Sequence, residues 1–307
     1  MPRPLRPART TLRAFILASS LVLLGSLPTT APAAAQAQAD QPFRSDRLSV
    51  EVVGAGPDVV LIPGFASSRE VWRPLAERLK ATHRVHLVQL AGFAGEPWAG
   101  EGPFLEPMLA ELQRYVDQQG LSRPAVIGHS MGGLAALMLA ERSPEAVGRV
   151  MTVDSLPFFS ALYGPQATPE TARPFAEQAA AAMLTPDDAA FRTAQARSAA
   201  GLARDPAART AMVEWSAASD RRALAAAIRE VMTTDARPRL GSIRVPVWAV
   251  YAADGDGGAP PEVADSLWAR EYAGLPGVRL ERVDDARHFI MADQPERFAE
   301  LVTEFLR

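Results

Sequence analysis

The chain has 307 residues, of which 48% are apolar and 22% are charged, and this composition excludes general disorder. Its 32 lysines and arginines are balanced by 35 aspartates and glutamates, giving a formal net charge of −3, so a strongly basic nucleic-acid-binding protein is excluded. The lack of cysteine excludes disulfides, thiolate nucleophiles and cysteine-ligated metal centres, and four histidines are too few to favour a multi-histidine metal site.

Residues 1–39 have the three-part pattern of a secretory signal peptide. Four arginines without an acidic residue come first, an apolar run from Ala14 to Leu27 follows, and small residues then offer cleavage sites after Ala35, Ala37 or Ala39. The apolar run is shorter than the roughly 20 residues of a membrane-spanning helix, which disfavours the alternative of an uncleaved anchor. We therefore predict cleavage near residues 35–39 and a periplasmic or secreted mature chain without a membrane span.

Beyond this segment, short apolar strands alternate with amphipathic helices. β-Branched residues between turn signals predict the strands, and apolar residues at helical spacing predict the helices. Such alternation predicts an α/β fold with a doubly wound, mostly parallel sheet. In chain order the predicted elements are strands Leu48–Val53 and Val59–Ile62, helix Ser68–Lys80, strand Val85–Leu90, helix Phe104–Gln118, strand Ala125–Ile127, helix Leu134–Glu141, strands Val150–Val153 and Val245–Ala252, helix Ser266–Tyr272, strand Val278–Val283 and helix Pro295–Leu306.

The alternation is interrupted in residues 156–240, an alanine-rich stretch with several prolines and no predicted strand. An all-helical insertion between two strands of a sheet suggests a cap, or lid, over the core. We therefore divide the chain after the signal peptide into a first core part (40–155), the cap (156–240) and a second core part (241–307). Four helices are predicted within the cap, at Glu170–Leu184, Asp187–Leu202, Ala207–Ser216 and Arg221–Thr233.

The sequence Gly128-His129-Ser130-Met131-Gly132 matches the pattern G-x-S-x-G. The pattern alone is weak, but here it follows a predicted strand and opens a predicted helix, which is the context of a nucleophile elbow. In such a sharp turn the hydroxyl of Ser130 projects from the sheet edge, and the N–H of Met131 points to where an oxyanion would form. The alternative is an ordinary glycine-rich turn between strand and helix.

Four segments carry a resemblance to a known family: LIPGFASS at 61–68, GHSMGG at 128–133, VPVWAVYAADGD at 245–256 and RHFIMADQPERF at 287–298. The chain resembles the α/β-hydrolase superfamily, in its capped serine hydrolase branch of esterase and lactonase type, over essentially everything after the signal peptide. The resemblance implies an α/β-hydrolase fold whose helical cap is inserted after the sixth strand. It implies no metal and no cofactor.

His288 is the candidate base for Ser130. It lies in a loop between the strand Val278–Val283 and the last helix, which is the position of the catalytic histidine in the family that the chain resembles. His129 lies inside the elbow and is expected to pack structurally. His83 and His86 lie just before and within the predicted strand Val85–Leu90, at the other end of the architecture.

The acid of the triad should lie between Ser130 and His288, because the order in this fold is serine, acid, histidine. Asp254 is preferred, since it directly follows a strand. The family usually has Gly-x-x-Asp here, and this chain lacks that glycine, so the register stays open. Asp256 and Asp154, the latter at the end of the sixth strand, are the alternatives.

Two backbone N–H groups are needed to bind an oxyanion. Met131 supplies one, and the loop Pro63-Gly64-Phe65-Ala66 after an early strand supplies the other. Phe65 is the preferred donor and Ala66 the second choice. Many members of the family have His-Gly where this chain has Pro63-Gly64, but a backbone donor survives that change.

Together these residues predict an exported serine hydrolase that cleaves an ester or related acyl bond of a small molecule through an acyl-enzyme. Lactone, amide or carbon–carbon bond hydrolysis and cofactor-free perhydrolysis stay open, because fold does not choose among them. A non-catalytic binding protein on the same fold is the competing class, and the oligomeric state is left open. Seven large apolar or aromatic residues of the cap are candidates to line an apolar pocket, although for each of them simple packing of the cap onto the core is the more common role. They are Phe158, Phe159, Tyr163, Met183, Met212, Trp215 and Met232.

Overall fold

The computed structural model describes residues 43–307. The predicted signal peptide lies outside the described residues. Among residues 43–307, no helix is both long and apolar enough to cross a bilayer.

The described residues build one eight-stranded sheet. Its spatial order is β1-β2-β4-β3-β5-β6-β7-β8. The first two pairings are antiparallel, β1 with β2 and β2 with β4. The other five pairings, along β4-β3-β5-β6-β7-β8, are parallel. The predicted α/β fold with a mostly parallel sheet is confirmed. The strands are β1 Phe43–Arg44, β2 Leu48–Gly54, β3 Asp58–Ile62, β4 Arg84–Leu90, β5 Ala125–His129, β6 Arg149–Val153, β7 Val247–Ala253 and β8 Arg279–Asp284.

Central strands of the sheet are apolar on both faces because helices cover both sides. In β3, Val60 and Ile62 join the core on one face, while Val59 and Leu61 join the core on the other. This two-residue periodicity follows from the alternation of side chains along a strand. Because both faces of these strands are buried, the strands are short uninterrupted runs of apolar residues in the sequence.

Helices connect the strands and cover the sheet. Outside the insertion between β6 and β7 they are α1 Arg73–Leu79, α2 Leu105–Gln118, α3 Met131–Arg142, α8 Pro261–Glu271, α9 Ile290–Asp293 and α10 Pro295–Phe305, with a 3-10 helix at Arg69–Trp72 before α1. Within that insertion they are α4 Pro169–Leu184, α5 Asp188–Leu202, α6 Pro206–Ala218 and α7 Arg221–Thr233, with 3-10 helices at Phe159–Tyr163 and Arg237–Ser242.

Side-chain caps begin each α-helix of the insertion. Thr168 caps α4 in a capping box. The side chains of Asp187, Asp205 and Asp220 accept hydrogen bonds from backbone N–H groups in the first turns of α5, α6 and α7. These residue types are the preferred N-caps because a short side chain reaches the first free N–H groups. The predicted start of α8 at Ser266 is wrong, since that helix begins at Pro261.

Candidate active site

Ser130 lies at the sharp turn between β5 and α3. Its backbone has φ 53° and ψ −122°, a conformation that residues with a side chain rarely adopt. The N–H of Ser130 donates to the C=O of Val153 at 2.9 Å, which ties the turn to the neighbouring strand β6. A strained serine in this position fits the predicted nucleophile elbow.

The glycines of the elbow permit a close approach of three backbone segments. A Cβ atom at Gly128 would overlap the carbonyl oxygen of Gly132, and one at Gly132 would overlap the carbonyl oxygen of Ile62 at the end of β3. Only glycine avoids both overlaps, so the spacing of the motif follows from packing between β3, β5 and α3.

His288 contacts Asp154 through a hydrogen bond of 2.7 Å between Nδ1 and Oδ2. Because a carboxylate only accepts, Nδ1 carries the proton, and Nε2 of the neutral ring is the nitrogen able to accept one. The second carboxylate oxygen of Asp154 accepts the N–H of Ala252 in β7 at 2.9 Å. The carboxylate is therefore fixed from both sides, and it orients the imidazole.

The preference for Asp254 as the partner of His288 is wrong in this geometry. The Asp254 carboxylate accepts from Arg204 at 2.8 Å and from Arg287 at 2.7 Å, and it is buried. Asp256 is exposed, and its N–H donates to Asp254. Asp154, the third choice from the sequence, occupies the place beside the histidine.

The charge of Asp254 is set by opposing effects. Burial raises the pKa of its carboxyl, but the hydrogen bond from Arg287, the N–H of Asp256 and the positive charge of Arg204 lower it by more, so the pKa lies below its usual range. Asp254 is thus an ionised carboxylate shared by two guanidinium groups.

His129 is buried and supports the loop of His288. Its Nε2 donates to the backbone C=O of His288 at 2.9 Å, and its ring packs against Trp72 and Phe289. Burial, followed by the nearby His288, lowers the pKa of His129 well below its usual range. The ring stays neutral, and a structural role fits it better than that of a base.

The loop after β3 lies against the nucleophile. A Cβ atom at Gly64 would stand 2.8 Å from Nδ1 of His129 and 3.0 Å from Cβ of Ser130. Met131 is the first residue of α3, so its N–H has no acceptor within the helix. The arrangement fits an oxyanion site between α3 and this loop, and the choice of Phe65 over Ala66 as second donor stays a prediction.

One cavity of about 450 Å³ contains Ser130, Asp154 and His288 together with Phe65 and Ala66. Five of the seven pocket candidates from the sequence line it, whereas Phe158 and Trp215 pack elsewhere. In the described part of the chain, no lysine or arginine lines this cavity. Its apolar lining comes mainly from Leu156, Phe159, Leu162, Tyr163, Met183, Leu202, Met212, Ile228, Val231 and Met232.

Within residues 43–307, no three histidine, aspartate or glutamate side chains are grouped so that they could hold a metal ion.

The model of the alpha/beta hydrolase family matches residues 59–301 of the chain. The chain belongs to the alpha/beta hydrolase family. The match runs from β3 through α10 and therefore includes the elbow, the insertion and the loop of His288.

Two curated relatives of this α/β hydrolase are pimeloyl-acyl-carrier-protein methyl ester esterases. The one from Aeromonas hydrophila subsp. hydrophila is 40% identical over 114 residues, which cover 37% of this chain and 44% of the relative. The match thus spans less than half of that relative's length. The one from Aromatoleum aromaticum is 32% identical over 268 residues, which cover 82% of this chain and 98% of the relative. Homologues that are esterases support the prediction of an enzyme.

Among solved structures, this α/β hydrolase is similar to the enol-lactonase from Burkholderia xenovorans LB400. The TM-score is 0.68 at 22% identity, over 84% of this chain and 96% of that one. At this level of identity the likeness concerns the fold alone.

Proposed function

We propose that this α/β hydrolase is an exported serine hydrolase that cleaves a carboxylic ester through a Ser130–His288–Asp154 triad. The observation that carries the proposal is the 2.7 Å contact between His288 and Asp154 in the cavity that also contains the strained Ser130. The names of the curated relatives, which are methyl ester esterases, support an ester as substrate.

In the proposed reaction, the Oγ of Ser130 attacks the ester carbonyl while Nε2 of His288 takes the hydroxyl proton. Asp154 stabilises the imidazolium that forms, and the N–H groups of Met131 and Phe65 bind the oxyanion. Collapse releases the alcohol, which takes its proton from His288. Water then attacks the acyl-enzyme with His288 again as base, releasing the acid and restoring Ser130.

The lining of the cavity favours a neutral, apolar acyl group. Carbon and sulfur atoms of the insertion and core form most of its surface, and no basic side chain in the described residues lines it to pair with a second carboxylate. An anionic acyl group would lose its hydration there without a compensating partner. We therefore place neutral esters of short and medium acyl length first among substrates.

A panel of p-nitrophenyl esters from acetate to octanoate tests the proposal. We expect hydrolysis that Ser130→Ala abolishes. Met183 lines the cavity, so Met183→Ala should lower kcat/KM for hexanoate relative to acetate by about fourfold, which corresponds to the burial of about one methylene group.

Trp215 provides the matched control, because it lies in the same insertion but does not line the cavity. Trp215→Ala should leave the hexanoate-to-acetate ratio at the wild-type value. Hydrolysis that persists in Ser130→Ala would reject the serine mechanism, and equal ratios in all variants would reject this position of the acyl pocket.

Export is proposed from residues 1–39, whose arginines, apolar run and small residues follow the order of a signal peptide. We expect mass spectrometry of the protein expressed in a bacterium with a periplasm to find a mature N-terminus between Gln36 and Gln41, in the periplasm or medium. Recovery of the chain with an intact N-terminus in the cytoplasm would contradict export. The proposal of a catalytic triad would not be affected by that result.

A further inference from the structure

Asp254 joins the helical insertion to the loop that carries His288. Its Oδ1 accepts from Nη1 of Arg204, which lies between α5 and α6, and its Oδ2 accepts from Nε of Arg287, the residue before His288. The Asp254 side chain is only 1% exposed, so its charge depends on these two partners and on the N–H of Asp256. The insertion and the histidine loop therefore share one buried carboxylate.

Asp293, at the end of α9, joins the same two segments through their backbone. Its Oδ1 accepts the N–H groups of Arg204 and Asp205 at 2.8 and 2.9 Å, and its Oδ2 accepts the N–H of Arg287 at 2.9 Å. Hydrogen bonds to an ionised acceptor are stronger than neutral ones, so three of them on one carboxylate hold the segments at a fixed separation.

Two further hydrogen bonds connect the segments directly. The N–H of Phe289 donates to the C=O of Leu202 at 3.1 Å, and Nη1 of Arg287 donates to the C=O of Ala200 at 2.7 Å. They attach the loop on both sides of His288. We call these contacts between residues 200–205 and 285–293, together with Asp254, the clasp.

The insertion side of the clasp adjoins a wall of the catalytic cavity. Ser198, Ala199 and Leu202, at the end of α5, line that cavity. In contrast, Arg204 and Asp254 are not among its lining residues. A change at these two residues therefore reaches the reaction through the histidine loop and not through contact with substrate.

We propose that Asp254 is a positioning residue for His288, holding the loop of the base against the pocket wall through Arg204 and Arg287. The inference rests on the proposed function, since it takes His288 as the base. Misplacing a catalytic group by about 1 Å can cost about 100-fold in rate. Loss of the clasp should therefore lower kcat and leave KM nearly unchanged.

The test compares kcat and KM on p-nitrophenyl butyrate for wild type, Arg204→Ala, Asp254→Asn and the double variant. Each single change should lower kcat by about 10-fold, an intermediate loss for a displaced base, with KM within about twofold. The double variant should be no slower than Asp254→Asn, because Arg204 acts through Asp254.

Two further variants serve as controls. Arg204→Lys should recover most of kcat, since only one nitrogen of Arg204 contacts Asp254. Arg197→Ala, an exposed arginine of α5, should match the wild type. Thermal unfolding checks that each variant is folded. If Asp254→Asn does not fold, Arg204→Ala serves as the test, because in that variant Asp254 is still paired with Arg287.

Three results would overturn the positioning role of Asp254 and leave the proposed triad unaffected. They are a wild-type kcat in Arg204→Ala, a raised KM at wild-type kcat, and additive losses of kcat in the double variant. Lack of Ser130-dependent hydrolysis in the wild type would instead defeat the proposed function and this inference with it.

Discussion

Asp154→Asn should lower kcat by up to about 10⁴-fold, the loss known for the same change in a serine protease triad. The N–H of Ala252 donates to Oδ1 of Asp154, so in the variant the amide oxygen would stay there and the NH₂ group would face Nδ1 of His288. That group donates, which forces the proton of the ring onto Nε2. The imidazole then cannot accept the proton of Ser130.

The matched control is the same substitution at the rival carboxylate. Asp254→Asn should cost about 10-fold, because it displaces the loop of His288 without changing the tautomer. Steady-state kinetics on one activated ester measures both variants. If Asp254→Asn were the crippling change and Asp154→Asn stayed near wild type, the acid of the triad would be Asp254.

Gly64→Ala should lower kcat by about 100- to 1,000-fold, the usual cost of losing one oxyanion donor. The added methyl group would stand 2.8 Å from the His129 ring and 3.0 Å from Cβ of Ser130, so the loop of Phe65 must move away from the nucleophile. The donor distance to the oxyanion then increases, whereas the ground-state ester is little affected. We expect KM to change much less than kcat.

Gly241→Ala is the control for Gly64→Ala. A Cβ atom at Gly241 would meet its nearest neighbour, the carbonyl oxygen of Gly274, at an ordinary 3.6 Å. This variant should keep wild-type kcat and thermal stability. A fully active, folded Gly64→Ala enzyme would show that this loop does not supply an oxyanion donor.

The fold could be predicted from the sequence, and Ser130 and His288, the proposed nucleophile and base, could be selected from it, because their signals are local. Apolar strands buried on both faces read as short continuous runs, and the elbow needs glycine on both sides of Ser130 for packing reasons. His288 is identified by its place between the last strand and the terminal helix.

The carboxylate that lies beside His288 could not be predicted, because Asp154 and Asp254 both directly follow a strand and these strands, β6 and β7, are parallel neighbours in the sheet. In the structure, Arg204 and Arg287 bind Asp254, and Asp154 contacts His288. Arg204 comes from the helical insertion, and no pattern in the sequence places that residue beside β7. The missing glycine before Asp254 and the arginine next to His288 were the available signals.

The lining of the pocket was only partly predictable for a related reason. Helices α4, α5 and α6 of the insertion are rich in alanine, so their apolar faces are weakly marked in the sequence. Met183 and Trp215 were equal candidates in the sequence. In the structure Met183 lines the cavity, whereas Trp215 is half-buried against the core and does not line it.

The most direct test of the triad is reaction of the purified protein with a fluorophosphonate, followed by mass spectrometry. Only a serine activated by a base reacts readily with such a reagent. We predict one phosphonate per chain, on the peptide that contains Ser130, with no labelling of Ser130→Ala and greatly slowed labelling of Asp154→Asn. Labelling of another residue, or none in the folded wild type, would contradict the proposal that this α/β hydrolase acts through Ser130.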